Sequence, residues 1–234
     1  MTSISILLSS DKSEFTTNFN PPIELQSKYD ISYYGLALVN LETYYSFPNV
    51  TNKNNVLRYS TDNGTSWQVF IVPVGTYELN QINDEIKRQV PAINISANLA
   101  TLKAIVKIDD DKTKIDFNID NSIRTILGFD KKVISKGYHE SDMPVNILSV
   151  NSILIHCDII SDSYENGKKR PVIYSFFPNC FPGEKILEKP INLVYLPVFV
   201  DKIYSINIRL TDQNDKPINF RGETITLRLH LKKY

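Results

Sequence analysis

Residues 204–231, YSINIRLTDQNDKPINFRGETITLRLHL, decide the fold class. Tyr204, Ile206, Ile208 and Leu210 alternate with Ser205, Asn207 and Arg209. After a polar loop at 211–217, Ile225, Leu227, Leu229 and Leu231 alternate with Thr226, Arg228 and His230. Successive side chains of a strand point to opposite faces, so a period of two marks a strand with one face on a core and the other in water. Both runs therefore predict half-buried antiparallel strands. Arg221-Gly222-Glu223 between them resembles an integrin-binding tripeptide with Glu in place of Asp, and it reads as a turn before the last strand.

Upstream the same grammar continues. Leu148 to Ile160 reads as a long strand, followed by a turn at Glu165-Asn166-Gly167 and a strand at Val172 to Phe177. Leu193 to Val200 contains Pro197, which belongs at an edge or a break because proline cannot donate to a ladder. Tyr33 to Phe47 is a long β candidate. Val56 to Tyr59 and Trp67 to Val72 flank Asp62-Asn63-Gly64, a strong hairpin turn signal. Leu102 to Ile108 and Lys114 to Ile119 read as another hairpin around Asp109-Asp110-Asp111. The first 22 residues read either as a strand, from Ile4, Ile6 and Leu8, or as a loose arm.

Two helices interrupt the strands. Leu79, Ile82, Ile86 and Val90 recur at helical spacing, with Gly75-Thr76 as a start, Pro91 as a stop and Glu78 to Gln89 as the body. A short helix over Ser122 to Leu127 has Asp120 as its cap and Gly128 as its C-terminal stop. The expected architecture is all-β: a single jelly-roll β-sandwich over residues 1–234, with a helix-containing insertion at 76–130.

Composition narrows the function classes. Lys plus Arg and Asp plus Glu number 26 each, so the net charge is zero. Specific nucleic-acid binding is not expected without a basic footprint, and self-association meets little electrostatic resistance. No apolar run approaches the roughly 18 residues of a membrane span, and Met1 to Leu8 lacks the shape of a secretion signal. Cys157 and Cys180 fit no zinc spacing and are expected unbridged and buried. The sequons at Asn49, Asn63 and Asn94 read as chance products of an Asn-rich chain.

Candidates for chemistry are thin. His139, His156 and His230 are the three histidines. His156 adjoins Cys157, but neighbours in a strand point to opposite faces and cannot form a nucleophile–base pair. The aspartates at 109–111 lack the alternating ligands, central glycine and distal glutamate of a calcium loop. No phosphate loop, dinucleotide fingerprint or nucleophile elbow is present. Lys168-Lys169-Arg170 reads as a solvated loop, and the pairs Tyr33-Tyr34 and Tyr44-Tyr45 as core or interface aromatics. No catalytic, cofactor-binding or metal residue and no cofactor is assigned.

Six segments together resemble a viral family: LVNLETYYSFPNV (38–50), VGTYELNQINDEI (74–86), SIRTILGF (122–129), VNSILIHCDIISDSYENG (150–167), FPGEKILEKPINLVYLPV (181–198) and LTDQNDKPINFRGETITLRL (210–229). The combination is similar to the penton, or minor capsid, protein of Polinton (Maverick) elements and adintoviruses. The resemblance implies a non-enzymatic single jelly-roll capsomer. It implies homopentamers at the fivefold vertices of an icosahedral virion whose major capsid protein is a double jelly roll. It also implies synthesis in the host cytoplasm or nucleus without secretion. The competing reading is a β-sandwich binding module, lectin-like or receptor-binding, and behind it an enzyme on a β scaffold.

Overall fold

The computed structural model describes residues 3–25, 33–148, 150–165 and 167–234. The chain begins with β1 (Ser3–Ser10), β2 (Glu14–Glu24) and β3 (Tyr34–Tyr44). Its middle supplies β4 (Val56–Ser60), β5 (Gln68–Ile71), α1 (Leu79–Gln89), β6 (Ile93–Asn98), β7 (Lys103–Ile108), β8 (Lys114–Asp116), α2 (Arg124–Leu127), β9 (Val133–Ile134) and β10 (Gly137–Pro144). There follow β11 (Ile153–Cys157), β12 (Tyr164–Glu165), β13 (Lys168–Lys169), β14 (Val172–Phe176), β15 (Lys185–Glu188), β16 (Leu196–Val198), β17 (Lys202–Thr211) and β18 (Ile225–Lys233). These elements form two compact units: residues up to Phe47 with Val150–Tyr234, and Pro48–Ser149.

The first unit is a sandwich of two antiparallel sheets. One has the order β1-β18-β3-β15, with β16 also on β3; the other runs β14-β11-β17-β2. The eight principal strands, counted along the chain, thus lie 1-8-3-6 in one sheet and 5-4-7-2 in the other. That arrangement is the jelly roll, an eight-stranded double sheet. Its cause is visible in β18: Ile225, Leu227, Leu229 and Leu231 are all 0% exposed. Burying four such side chains contributes about 6–12 kcal/mol before chain entropy is subtracted. Leu36, Leu38 and Leu41 of β3 join them, and Ile153, Ile155, Ile206, Ile208 and Leu210 supply the facing layer.

Period two holds through β18 and breaks once in β17. Ile203 is buried, Tyr204 exposed and Ile206 buried, because the register against β2 shifts between Ile203 and Ser205. This bulge turns Tyr204 outward, against the alternation expected of it. Of the two readings for the first 22 residues, of which 1 and 2 lie outside the described residues, the strand is the one observed from Ser3 onward. Ile6 and Leu8 enter the core and β1 pairs with β18 from Ser3↔Lys232 to Ser10↔Ile225. The strand expected over Leu148 to Ile160 is confined to Ile153–Cys157, with residues 158–160 in a turn and bridge that end the ladder.

The second unit contains the expected helices. It has a sheet of order β5-β4-β8-β9 and another of order β10-β7-β6. β4 and β5 are the predicted hairpin, with Asn63 and Gly64 at φ 62° and 90° as the turn demands. The second expected hairpin does not form. β7 pairs with β6 and β10, whereas β8 pairs with β4 and β9. Asp110 explains the parting: its carboxylate accepts from the Lys112 and Thr113 amides and the Thr113 hydroxyl, turning the chain from one sheet to the next.

Helix α1 buries Ile82 and Ile86 in this unit's core, and its C-cap residue Val90 is buried beside them. Its cap is Glu78 rather than Gly75-Thr76; Gln81 Oε1 accepts from the Glu78 amide at 2.9 Å. Lys87 and Arg88 in the last turn complement the helix dipole. Helix α2 begins at Arg124, whose amide donates to Ser122 Oγ, while Asp120 pairs with Lys131 instead of capping. Gly128 ends it at φ 80°, where a Cβ would collide with the carbonyls of Met143 and Pro144. The stretch 76–130 thus lies inside a larger unit that also holds residues 48–75 and 131–149.

Candidate functional site

A polar cluster surrounds His156 on β11, on the face of the sheet turned away from the core. His156 is 4% exposed, and its Nε2 lies 2.9 Å from Thr211 Oγ1 and 3.7 Å from Asp215 Oδ1. Asp215 also binds Arg209 at 2.9 Å and Arg170 at 3.2 Å, and Arg170 reaches Glu165 at 3.1 Å. Burial first, then the Arg209 charge, lowers the His156 pKa against the opposing pull of Asp215 and Glu165. Its Nδ1 is buried without a hydrogen-bond partner. The cluster ties β11 and β17 to the 212–217 loop and the β12–β13 hairpin. Its hydroxyl, Thr211, is wholly buried, so no substrate reaches it as a nucleophile.

The two thiols occupy different surroundings. Cys157 points into the core while His156 points out, as strand geometry requires, and burial pushes its thiol up to about 12. Cys180 is only partly buried, contrary to the expectation of two buried thiols, because it sits in the loop before β15. Burial raises its pKa too, and both cysteines are free. His139 Nε2 lies 2.6 Å from the Ser135 carbonyl oxygen.

The charged segments singled out in the sequence are occupied by neighbours. Asp109 pairs with Lys107 and Asp111 with Lys136. Lys169 pairs with Asp162, and Arg170 belongs to the His156 cluster. Asn166 lies outside the described residues. Arg221-Gly222-Glu223 is a turn with φ of 57° and 82° at its first two residues. Among the described residues, no group of three or more His, Cys, Asp or Glu is placed to hold a metal ion. Among them, too, no helix is long and apolar enough to cross a membrane.

What the sequence did not single out is an apolar display along one border of the first sheet. Ile191 is 98% exposed, Val194 65% and Leu187 52%. Beside them Tyr195 lies over Gly35, its hydroxyl 2.6 Å from His230 Nδ1 and its ring edge-on to Tyr234. His230 in the polar phase of β18 was the available signal; its partner stands 35 residues away in sequence, beyond any local pattern. Tyr34 and Tyr45 are buried and Tyr33 and Tyr44 exposed, so each tyrosine pair divides between core and surface.

No protein-family model and no curated protein sequence matches the chain. Among solved structures, the E. coli flagellar cap protein FliD D2-D3 domains align over 91% of this chain and 100% of that one, at 12% identity and a TM-score of 0.25. That score carries no argument. The mavirus penton protein aligns over 100% of both chains at 11% identity, with a TM-score of 0.52. The chain therefore has a virus penton-like, all-β jelly-roll fold.

Proposed function

We propose that this chain is a penton, or minor capsid, subunit of the kind carried by Polinton (Maverick) elements and adintoviruses. It works as a homopentamer at the vertices of an icosahedral shell, beside a double jelly-roll major capsid protein, with residues 1–234 acting as one capsid-type domain and the helix-bearing insertion carried on it. The observation that carries this reading is the end-to-end likeness to the mavirus penton protein. The strand order of the sandwich and the sequence segments quoted above support it. The protein is structural rather than enzymatic in this reading: the His156 cluster offers no reachable nucleophile, and burial raises the pKa of both thiols. Its place is the virion, after synthesis in the host cytoplasm or nucleus, and it needs neither cofactor nor specific nucleic-acid contact.

Particle assembly with the major capsid protein, with this chain present or deleted, tests the reading. Density at the fivefold vertices that disappears on deletion is the expected result. Vertices filled by another protein, with this chain absent from the shell, would overturn it in favour of a binding module.

A further inference from the structure

The first sheet of the sandwich ends on two unlike edges. On one side, among the described residues, β1 pairs only with β18, and its sequence SISILLSS carries neither charge nor proline. Edge strands ordinarily carry lysine, proline or a bulge that blocks further pairing. Here Ser3, Ser5, Leu7 and Ser9 face away from the core, with Leu7 57% exposed. On the other side the edge is broken. β15 pairs with β3 at Leu41–Tyr44 and β16 pairs with it at Tyr34–Leu36. Residues 189–195 run between them, and Ala37–Asn40 of β3 have no partner strand on that side among the described residues.

This connection is anchored at its C-terminal end. Besides the Tyr195 hydroxyl contact with His230, the Lys232 ammonium stands 5.5 Å from the Tyr195 ring and 4.9 Å from the Tyr234 ring. Gly35 is the floor, since a Cβ there would stand 2.8 Å from Tyr195 Cβ. Leu187, Ile191, Leu193 and Val194 are thus displayed with Tyr195 already seated, which lowers the ordering cost of a contact. At their exposures of 52, 98, 40 and 65% they leave roughly 400 Å² of apolar surface. That is close to the apolar share, about 450 Å², of one side of a standard protein interface.

We propose that the Leu187–Val194 ridge is a subunit contact, and that a second copy of this chain occupies it through its uncharged β1 edge. This rests on the capsid-ring reading and specifies its contact. The occupant follows from the pairing of unlike edges: each copy carries both an apolar ridge and an unblocked strand, which is the head-to-tail condition for a closed ring. The chain's zero net charge leaves no like-charge barrier to the approach.

The test uses the full chain and three variants: Ile191→Asp/Val194→Asp, Leu7→Asp, and Leu99→Asp as a control at an 84% exposed position of the second unit. All should melt like the parent, because each site faces solvent. In sedimentation over a concentration series, the parent and the control should form rings. The ridge variant and Leu7→Asp should associate at least about a hundredfold more weakly, since each buries an unpaired carboxylate on docking. Mixed in equal amounts, those two variants should form two-chain species and nothing larger, because one intact ridge and one intact edge remain. Rings of the ridge variant as stable as the parent's, or no two-chain species in the mixture, would overturn this contact while leaving the capsid reading standing. A parent chain that neither self-associates nor occupies a vertex would remove both.

Discussion

Replacing Ile82 with alanine removes three carbons from a side chain that is 0% exposed and lies on the face α1 buries in the second unit. At about 0.8 kcal/mol per buried methylene the transfer loss is about 2.4 kcal/mol. A residual cavity of about 50 Å³ adds about 1.2 kcal/mol at about 24 cal/mol per Å³. The expected cost is therefore about 3–4 kcal/mol, a few hundredfold in the local opening equilibrium. Ile82→Asp should cost more, because it leaves an unpaired charge in the same site. Amide hydrogen exchange in β6 and β7, read in the parent and both variants, measures this directly. Lys87→Ala, on the exposed side of the same helix, should stay within about 0.5 kcal/mol. A cost for Ile82→Ala below about 1 kcal/mol, or one matched by Lys87→Ala, would refute the burial of this helical face.

Two further outcomes follow from titrating and nucleophilic groups. The His156 pKa is lowered by burial, so the unfolded chain takes up that proton more readily than the folded one. Stability is then full above about pH 6.5, the ordinary histidine value, and falls as pH drops toward the folded value. Denaturation midpoints between pH 7 and 5 should slope downward on acidification and flatten in His156→Gln; parallel curves would remove the argument. In native protein at neutral pH, Cys180 should alkylate slowly and Cys157 not at all, its thiol being held up to about 12 by burial. Unfolding without reductant should expose both to label by mass spectrometry, and an unlabelled pair two hydrogens lighter would contradict free thiols.

Legibility in the sequence followed the range of the forces involved. The β18 strand could be read residue by residue because period two is local and Ile225 through Leu231 obey it. Tyr204 departs from the period because the irregularity that turns it lies in the partner strand, where β2 runs five residues from Ile23 to Asn18 against two of β17. The 102–119 hairpin failed for the same reason. Both strands form, yet adjacency in sequence cannot choose between a neighbour and the competing edges of β6 and β4. β6 itself went unread, since Ile93 and Ile95 are too few apolar residues to define a period in INISAN. The ridge at Leu187–Val194 left no local signature, because an exposed isoleucine and a buried one are the same letter. Only Pro197 hinted at a broken edge.

The pairing of β1 with β18 also governs the order in which the protein can form during synthesis. Ser3 meets Lys232 and Ser10 meets Ile225, so β1 must wait for β18, more than 200 residues further along the chain. At ribosomal rates of about 5–20 residues per second, β1 spends on the order of ten to forty seconds without its partner. The second unit suffers no such delay: all of Pro48–Ser149 emerges before β11 is made. The helix-bearing unit can therefore form while the sandwich has only three of its eight principal strands, β1 to β3. An apolar strand left open for that long is exposed to mispairing. A folding factor that holds residues 3–24 until β18 has emerged would raise the yield of this protein more than one acting on its middle.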